Sequence, residues 1–167
     1  KENLYIYRDG TAQPIPPTAG EATVVHCERI PGQVVAAERR RLTHLSNMAS
    51  ELLKKYDLVI GTDADEFLVL DPDVDESLES YLRKIDINPG LGVDVGQHLN
   101  EEQTIDGSKP FLSQRSYGQV SSRYTKPVVV SKPVRWGAGF HRIKGHNFRI
   151  DRNLYLLHFG VFDYEMV

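Results

Sequence analysis

Three carboxylates, Asp63, Asp65 and Glu66, fall within four positions of the stretch YDLVIGTDADEF. They follow directly on an apolar run, Leu58-Val59-Ile60, closed by Gly61. A spacing of two places Asp63 and Asp65 on one side of an extended chain. Carboxylates held that close repel unless positive charge lies between them. A hard divalent cation is the usual partner, and Mg2+ is often held by one or two carboxylates, with water and substrate phosphates completing its octahedron. The segment therefore reads as half a metal site awaiting a phosphate ligand. The competing reading is a solvated strand-to-loop junction. It loses weight because a buried-type strand and a long helix come first, and ligands of open α/β sheets gather beyond the carboxyl ends of strands.

A second acidic run, Asp71, Asp73 and Asp75, has the spacing that opens a calcium loop. Such a loop needs Gly at its sixth position and Glu at its twelfth, where this chain has Glu76 and Leu82. A polar turn and helix cap is the better account.

The elements that must position the first cluster follow from periodicity. Residues 4–7 and 23–27 have β-type composition, the first ended by the turn pair Asp9-Gly10. Between them TAQPIPPTAG carries three prolines and is expected to be irregular. Over residues 34–56, Leu42, Leu45, Ala49, Leu52 and Tyr56 recur at alternating spacings of three and four, which predicts an amphipathic helix. A strand at 58–62 completes a strand–helix–strand unit, for which parallel pairing with a right-handed crossover is expected. A second helix is expected over 76–85, capped by Asp75, with strands near 91–95, 128–131 and 154–158. The polar stretch between Gln97 and Tyr124 reads as a long functional loop.

Composition narrows the class. The chain has 167 residues, net charge −3 and one cysteine, Cys27. Its length suits one domain, its charge offers no basic face for nucleic acid, and its apolar runs are too short for a membrane span. A lone cysteine fits a reducing compartment, so a soluble, cytoplasmic protein is expected. A larger, membrane-attached parent is compatible with this.

The run LVIGTDADEFLVLDP resembles the Asp-x-Asp region of nucleotide-sugar glycosyltransferases with the GT-A fold, closest to bacterial family-2-like members carrying D-x-D-E-F. LYIYRDGT, KPVVVSKPVRWGAGFHR and LYLLHFGVFDYE resemble further segments of those enzymes, so the likeness covers most of the chain. The resemblance implies a single α/β domain over 1–167, GT-A-like (Rossmann-like), with a mainly parallel mixed sheet flanked by helices. The chain opens at what matches the family's second strand, so it is read as a fragment or as a domain whose nucleotide pocket is built differently.

For individual residues, the resemblance implies that Asp63 lies near the donor's ribose or the metal and that Asp65 ligates the metal. Glu66 would orient the loop. His158 would be a third ligand, with His141 the alternative as ligand or donor-sugar contact. An imidazole there would favour Mn2+ over Mg2+. Asp9 is a candidate for the nucleoside, and Trp136 with Gly137 and Gly139 for a sugar platform. A turn-forming Asp-Gly and a core tryptophan explain these equally well. Arg115, Lys126, Lys132 and Arg135 are candidates for the diphosphate or an anionic acceptor, and Glu101, Glu102 or Asp106 for a base. The expected activity is metal-dependent transfer of a sugar from a nucleotide-sugar donor, a uridine diphosphate sugar being one candidate, to a carbohydrate acceptor. Two rivals stand beside it. One is another metal-assisted phosphate enzyme, a nucleotidyltransferase or phosphohydrolase, and the other a non-catalytic sugar- or nucleotide-binding domain.

Overall fold

The structure is a computed structural model that describes residues 3–10, 22–27 and 32–166. The chain divides into two compact units, Lys1–Ala37 and Glu38–Val167. In the first, strands β1 (Tyr5–Asp9) and β2 (Thr23–Cys27) pair in parallel. The proline-rich stretch at 11–20 lies outside the described residues.

Helix α1 (Val34–Leu52) is the long amphipathic helix that the leucine spacing predicts. It buries Leu42, Ser46 and Ala49, three positions at spacings of four and three. After it come β3 (Val59–Ile60), β4 (Glu66–Leu70), the short helix α2 (Leu78–Leu82), β5 (Ile87–Asn88), β6 (Gly90–Gly96), β7 (Tyr117–Val120), β8 (Val129–Val130) and β9 (Asp151–Val161). The cap of α2 is Ser77, whose hydroxyl accepts from the Ser80 N–H at 3.2 Å, rather than the expected Asp75. The acidic turn before it is closed separately, by the Asp71 carboxylate accepting from the Asp73 N–H at 2.9 Å.

Two sheets form in the second unit, β3-β8-β5 and β4-β9-β6-β7. The fold is mixed α/β, but the mainly parallel sheet is corrected. Among the described residues of this unit only β6 and β9 run parallel, while β3/β8, β5/β8, β4/β9 and β6/β7 are antiparallel. The strand–helix–strand expectation fails at β3. That strand stops after two residues and pairs antiparallel with β8, while β2 pairs with β1. The one parallel pair of this unit, β6 and β9, is joined by the long connection that parallel strands need.

The core has two patches. Leu42 and Ala49 of α1 meet Val130, Val134, Trp136, Phe140 and Ile143, while Leu82 meets Val128, Val129, Leu154 and Leu156. Along β9 the buried side chains Leu154 and Leu156 are followed at the same period by His158. On neighbouring β4, Glu66 precedes Leu68 and Leu70, both packed on that second patch. The apolar row of each strand thus ends on a titratable residue, and the two face each other where β4 begins. Full burial of each such leucine is worth about 1.5–3 kcal/mol, which fixes where those two residues must sit.

Candidate functional site

The carboxylate turn begins where β3 ends. Gly61 donates its N–H to the Val128 carbonyl at 2.9 Å, and the chain then bends. Glu66 closes the bend reciprocally: its N–H donates to the Asp63 carbonyl at 3.2 Å, and its carboxylate accepts from the Asp63 N–H at 3.1 Å. The negative charge of this half is met by the protein's own cations. Lys126 Nζ lies 2.5 Å from Glu66 Oε1 and 3.0 Å from Asp63 Oδ2. Arg41 Nη1 lies 3.2 Å from Asp63 Oδ1, and its Nε lies 3.1 Å from Glu38. The Arg41 guanidinium also rests 5.2 Å from the centre of the Phe140 ring. Both oxygens of Asp63 are therefore engaged. Burial opposes its ionisation, but Lys126 and Arg41 outweigh burial and hold its carboxyl below the ordinary value of 3.8. Burial likewise works against the charge on Lys126, and its two carboxylate partners overcome it, raising its pKa.

Asp65, two residues on, stands differently. Its side chain is 48% exposed and its Oδ2 lies 3.4 Å from His158 Nε2. His158 Nδ1 lies 2.8 Å from Asp94 Oδ1, and the Tyr124 ring stacks on the imidazole at 3.6 Å, 12° from parallel. Strand register produces this set. Glu66 pairs with His158 across β4 and β9, and Asp94 pairs with His158 across β6 and β9. The Phe159 N–H donates to the Asp65 carbonyl at 2.9 Å, tying the turn to β9. Two glycines make room. A Cβ on Gly160 would sit 2.4 Å from the His158 ring, and one on Gly92 would sit 2.2 Å from the Tyr124 carbonyl carbon.

Whether these residues suit a metal ion follows from the imidazole. Asp94 can only accept, so Nδ1 donates to it, and with a metal ion bound Nε2 would present its lone pair beside Asp65. That is the carboxylate–histidine arrangement of metal-ligating imidazoles. Adjacent ligands of an octahedral ion at about 2.1 Å stand about 3.0 Å apart, near the 3.4 Å observed between Asp65 and His158. Among the described residues no three His, Cys, Asp or Glu side chains converge on one point. The Asp65–His158 pair would supply two ligands at most, and solvent or substrate would have to complete the coordination of any ion held there.

The other sequence candidates fall elsewhere. Trp136 is only 6% exposed, packs edge-on to Phe140 at 5.4 Å and donates its Nε1–H to the Pro127 carbonyl at 3.0 Å. It is a core residue, and its face is closed to a sugar. His141 is half-buried and lines a cleft with Ser122, Arg123, Ala138 and Arg142. Asp9 ends β1, and its side chain lies outside the described residues. Arg115 is buried against Asp163 at 3.4 Å, and Lys132 pairs with Asp86 at 3.4 Å, while Arg135 is exposed. Of the candidate bases, Glu102 accepts from the N–H groups of His98 and Ser116, and Glu101 accepts from the Tyr117 hydroxyl. Asp106 accepts from the Ser108 hydroxyl and N–H and pairs with Lys109, which lowers its pKa to about 2. All three are engaged in holding the loop and its junction with β7.

Sequence reasoning missed Asp94, Tyr124 and Arg41. For Asp94 a clue existed, one charge inside the apolar run GLGVDVG. Tyr124 and Arg41 carry no local clue, because their roles arise from packing between distant elements. Comparison of the chain with family models, with curated proteins and with solved structures returns no match, so the meaning of this site rests on its own residues.

Proposed function

We propose that the second unit carries the catalytic site of a metal-dependent glycosyltransferase of GT-A type, moving a sugar from a nucleotide-sugar donor to an acceptor. The observation that carries this reading is the Asp65–His158–Asp94 row, held where β4 begins and open on the Asp65 side. Asp65 and His158 would hold Mn2+ or Mg2+, with the imidazole favouring Mn2+. Such an ion supplies charge neutralisation for a departing diphosphate. Asp94 fixes the imidazole tautomer and Tyr124 its plane. Asp63 and Glu66, already neutralised by Lys126 and Arg41, hold the turn that presents Asp65.

A thermal-shift experiment tests this. Uridine diphosphate with Mn2+ should stabilise the protein together much more than either alone. Ligand at a hundred times its dissociation constant adds about 2.7 kcal/mol, or about 5–10 °C for a chain of this size. If no nucleoside diphosphate moves the melting temperature with Mn2+ present, the donor-site reading fails. Release of free sugar or phosphate without any acceptor would assign the site to a hydrolase instead.

A further inference from the structure

Charge is unevenly placed along this chain. Residues 107–150 contain nine lysines and arginines and no aspartate or glutamate, so the net −3 splits into +9 here and −12 elsewhere. Four of those cations are answered by carboxylates from other segments: Lys109 by Asp106, Arg115 by Asp163, Lys126 by Asp63 and Glu66, and Lys132 by Asp86. Among the described residues no carboxylate lies within ion-pair distance of Arg123 or Arg142, and these two line the same cleft.

That cleft has a volume of about 530 Å3 and is walled by Ser122, Arg123, Ala138, His141 and Arg142. Small-molecule sites typically span about 300–1,000 Å3. Both walls are fixed turns. On one side the Ser121 N–H donates to the Gly92 carbonyl at 2.9 Å, the Thr125 hydroxyl donates to the Ser121 carbonyl at 3.1 Å, and that hydroxyl accepts from the Gly92 N–H at 3.0 Å. Arg123 therefore rides on β6. On the other side a bridge pairs Trp136 with Ile143, and the Gly137 N–H donates to the Arg142 carbonyl at 2.7 Å. Between them Phe140 holds φ at 63°, a left-handed conformation that costs a non-glycine residue about 1–3 kcal/mol. The neighbouring His141 keeps a buried Nδ1 without a hydrogen-bond partner among the described residues. Burial and the Lys126 charge lower its pKa, so its ring is neutral near pH 7 and able to donate one hydrogen bond.

We propose that this cleft is a phosphate-binding subsite, in which the Arg123 and Arg142 guanidiniums take a phosphoryl group of a small ligand without a metal ion. Guanidiniums offer forked donors that match phosphate oxygens, two of them line this cleft, and it is lined by neither Asp65 nor His158. The phosphoryl group has two sources, the diphosphate of a nucleotide donor or a phosphate on the acceptor. The subsite stands on residues that the metal reading does not use.

Calorimetric titration of the whole chain in metal-chelating buffer tests it, with inorganic pyrophosphate and glucose 6-phosphate as probes. At least one should bind, and Arg123→Gln with Arg142→Gln should weaken it at least tenfold, while Asp65→Asn leaves it unchanged. Both arginines are exposed, so an unchanged melting temperature of the double variant confirms that folding is intact. Competition by uridine diphosphate would assign the subsite to the donor, and its absence to the acceptor. The subsite is overturned if neither probe binds, if the double variant binds as tightly as the wild type, or if binding needs Mn2+ and disappears in Asp65→Asn. The last outcome would leave the metal reading standing.

Discussion

Asp63 and Asp65 stand two residues apart in opposite surroundings. Asp63 has a cation on each oxygen, a buried lysine and an arginine that is itself held by Glu38 and Phe140. Among the described residues Asp65 pairs with no lysine or arginine; its neighbour is an imidazole whose far nitrogen is claimed by another carboxylate. A sequence argument from repulsion treats the two alike and asks for one positive partner between them. The fold instead answers half of the cluster with Lys126 and Arg41 and leaves the other half open. Asp63 is thus neutralised by the chain itself, and Asp65 is the one left facing solvent and imidazole, which is why the proposed ligand role falls to Asp65.

This contrast can be broken most forcefully at Lys126. Lys126→Met strips the cation from Glu66, whose side chain is 1% exposed, and should cost about 3–5 kcal/mol in urea denaturation. Adding Glu66→Gln should recover part of that loss. A cost below about 1 kcal/mol would dissolve the distinction between the two halves. Next in size is Asp94→Asn, which should weaken Mn2+ binding about 10- to 100-fold by releasing the imidazole, with Asp65 and His158 untouched. Equal affinity in titrations of Mn2+ would remove Asp94 from the site.

A smaller effect is expected with pH, since the Asp63 side chain is 34% exposed and solvent screens it. Its folded pKa lies below the unfolded value, so between the two the unfolded chain binds more protons and stability rises with pH. The stability advantage of wild type over Asp63→Asn should be fully present above the ordinary value of 3.8 and shrink as pH falls below it. A difference that grows on acidification would reverse the assignment of its partners. Smallest of all, Asp65→Asn should change ligand-free stability by no more than about 0.5 kcal/mol, yet abolish the response to Mn2+ with nucleotide. Loss of fold in that variant would make Asp65 structural too.

The parts of this architecture that were legible were those written in period. Leu42, Ala49 and their neighbours gave α1, and LYLLH marked the centre of β9, which runs on past His158 to Val161. Pairing partners were not legible. A two-residue β3 contains no information about β8, and the antiparallel run of β4 was hidden because EFLVL followed directly on the acidic motif. The distal histidine was a candidate, but its route could not be read: it reaches Asp65 because β9 lies beside β4, downstream of the carboxylates. Trp136 could be either platform or core from sequence, and the Pro127 carbonyl decided it, a partner nine residues away that no periodicity announces.

Strand β9 is hydrogen-bonded on both flanks, by β4 and by β6. Releasing the amides around His158 requires breaking two ladders at once, which places them near the top of the hydrogen-exchange scale, with opening free energies approaching that of global unfolding. The turn at 61–65 contributes no strand of its own and should open at far lower cost. The two proposed ligands of one ion would thus belong to the most and the least protected parts of the same site. Slowed exchange on adding Mn2+ and nucleotide should therefore register at Asp65 and its neighbours, while the amides of β9, already closed, stay as they were.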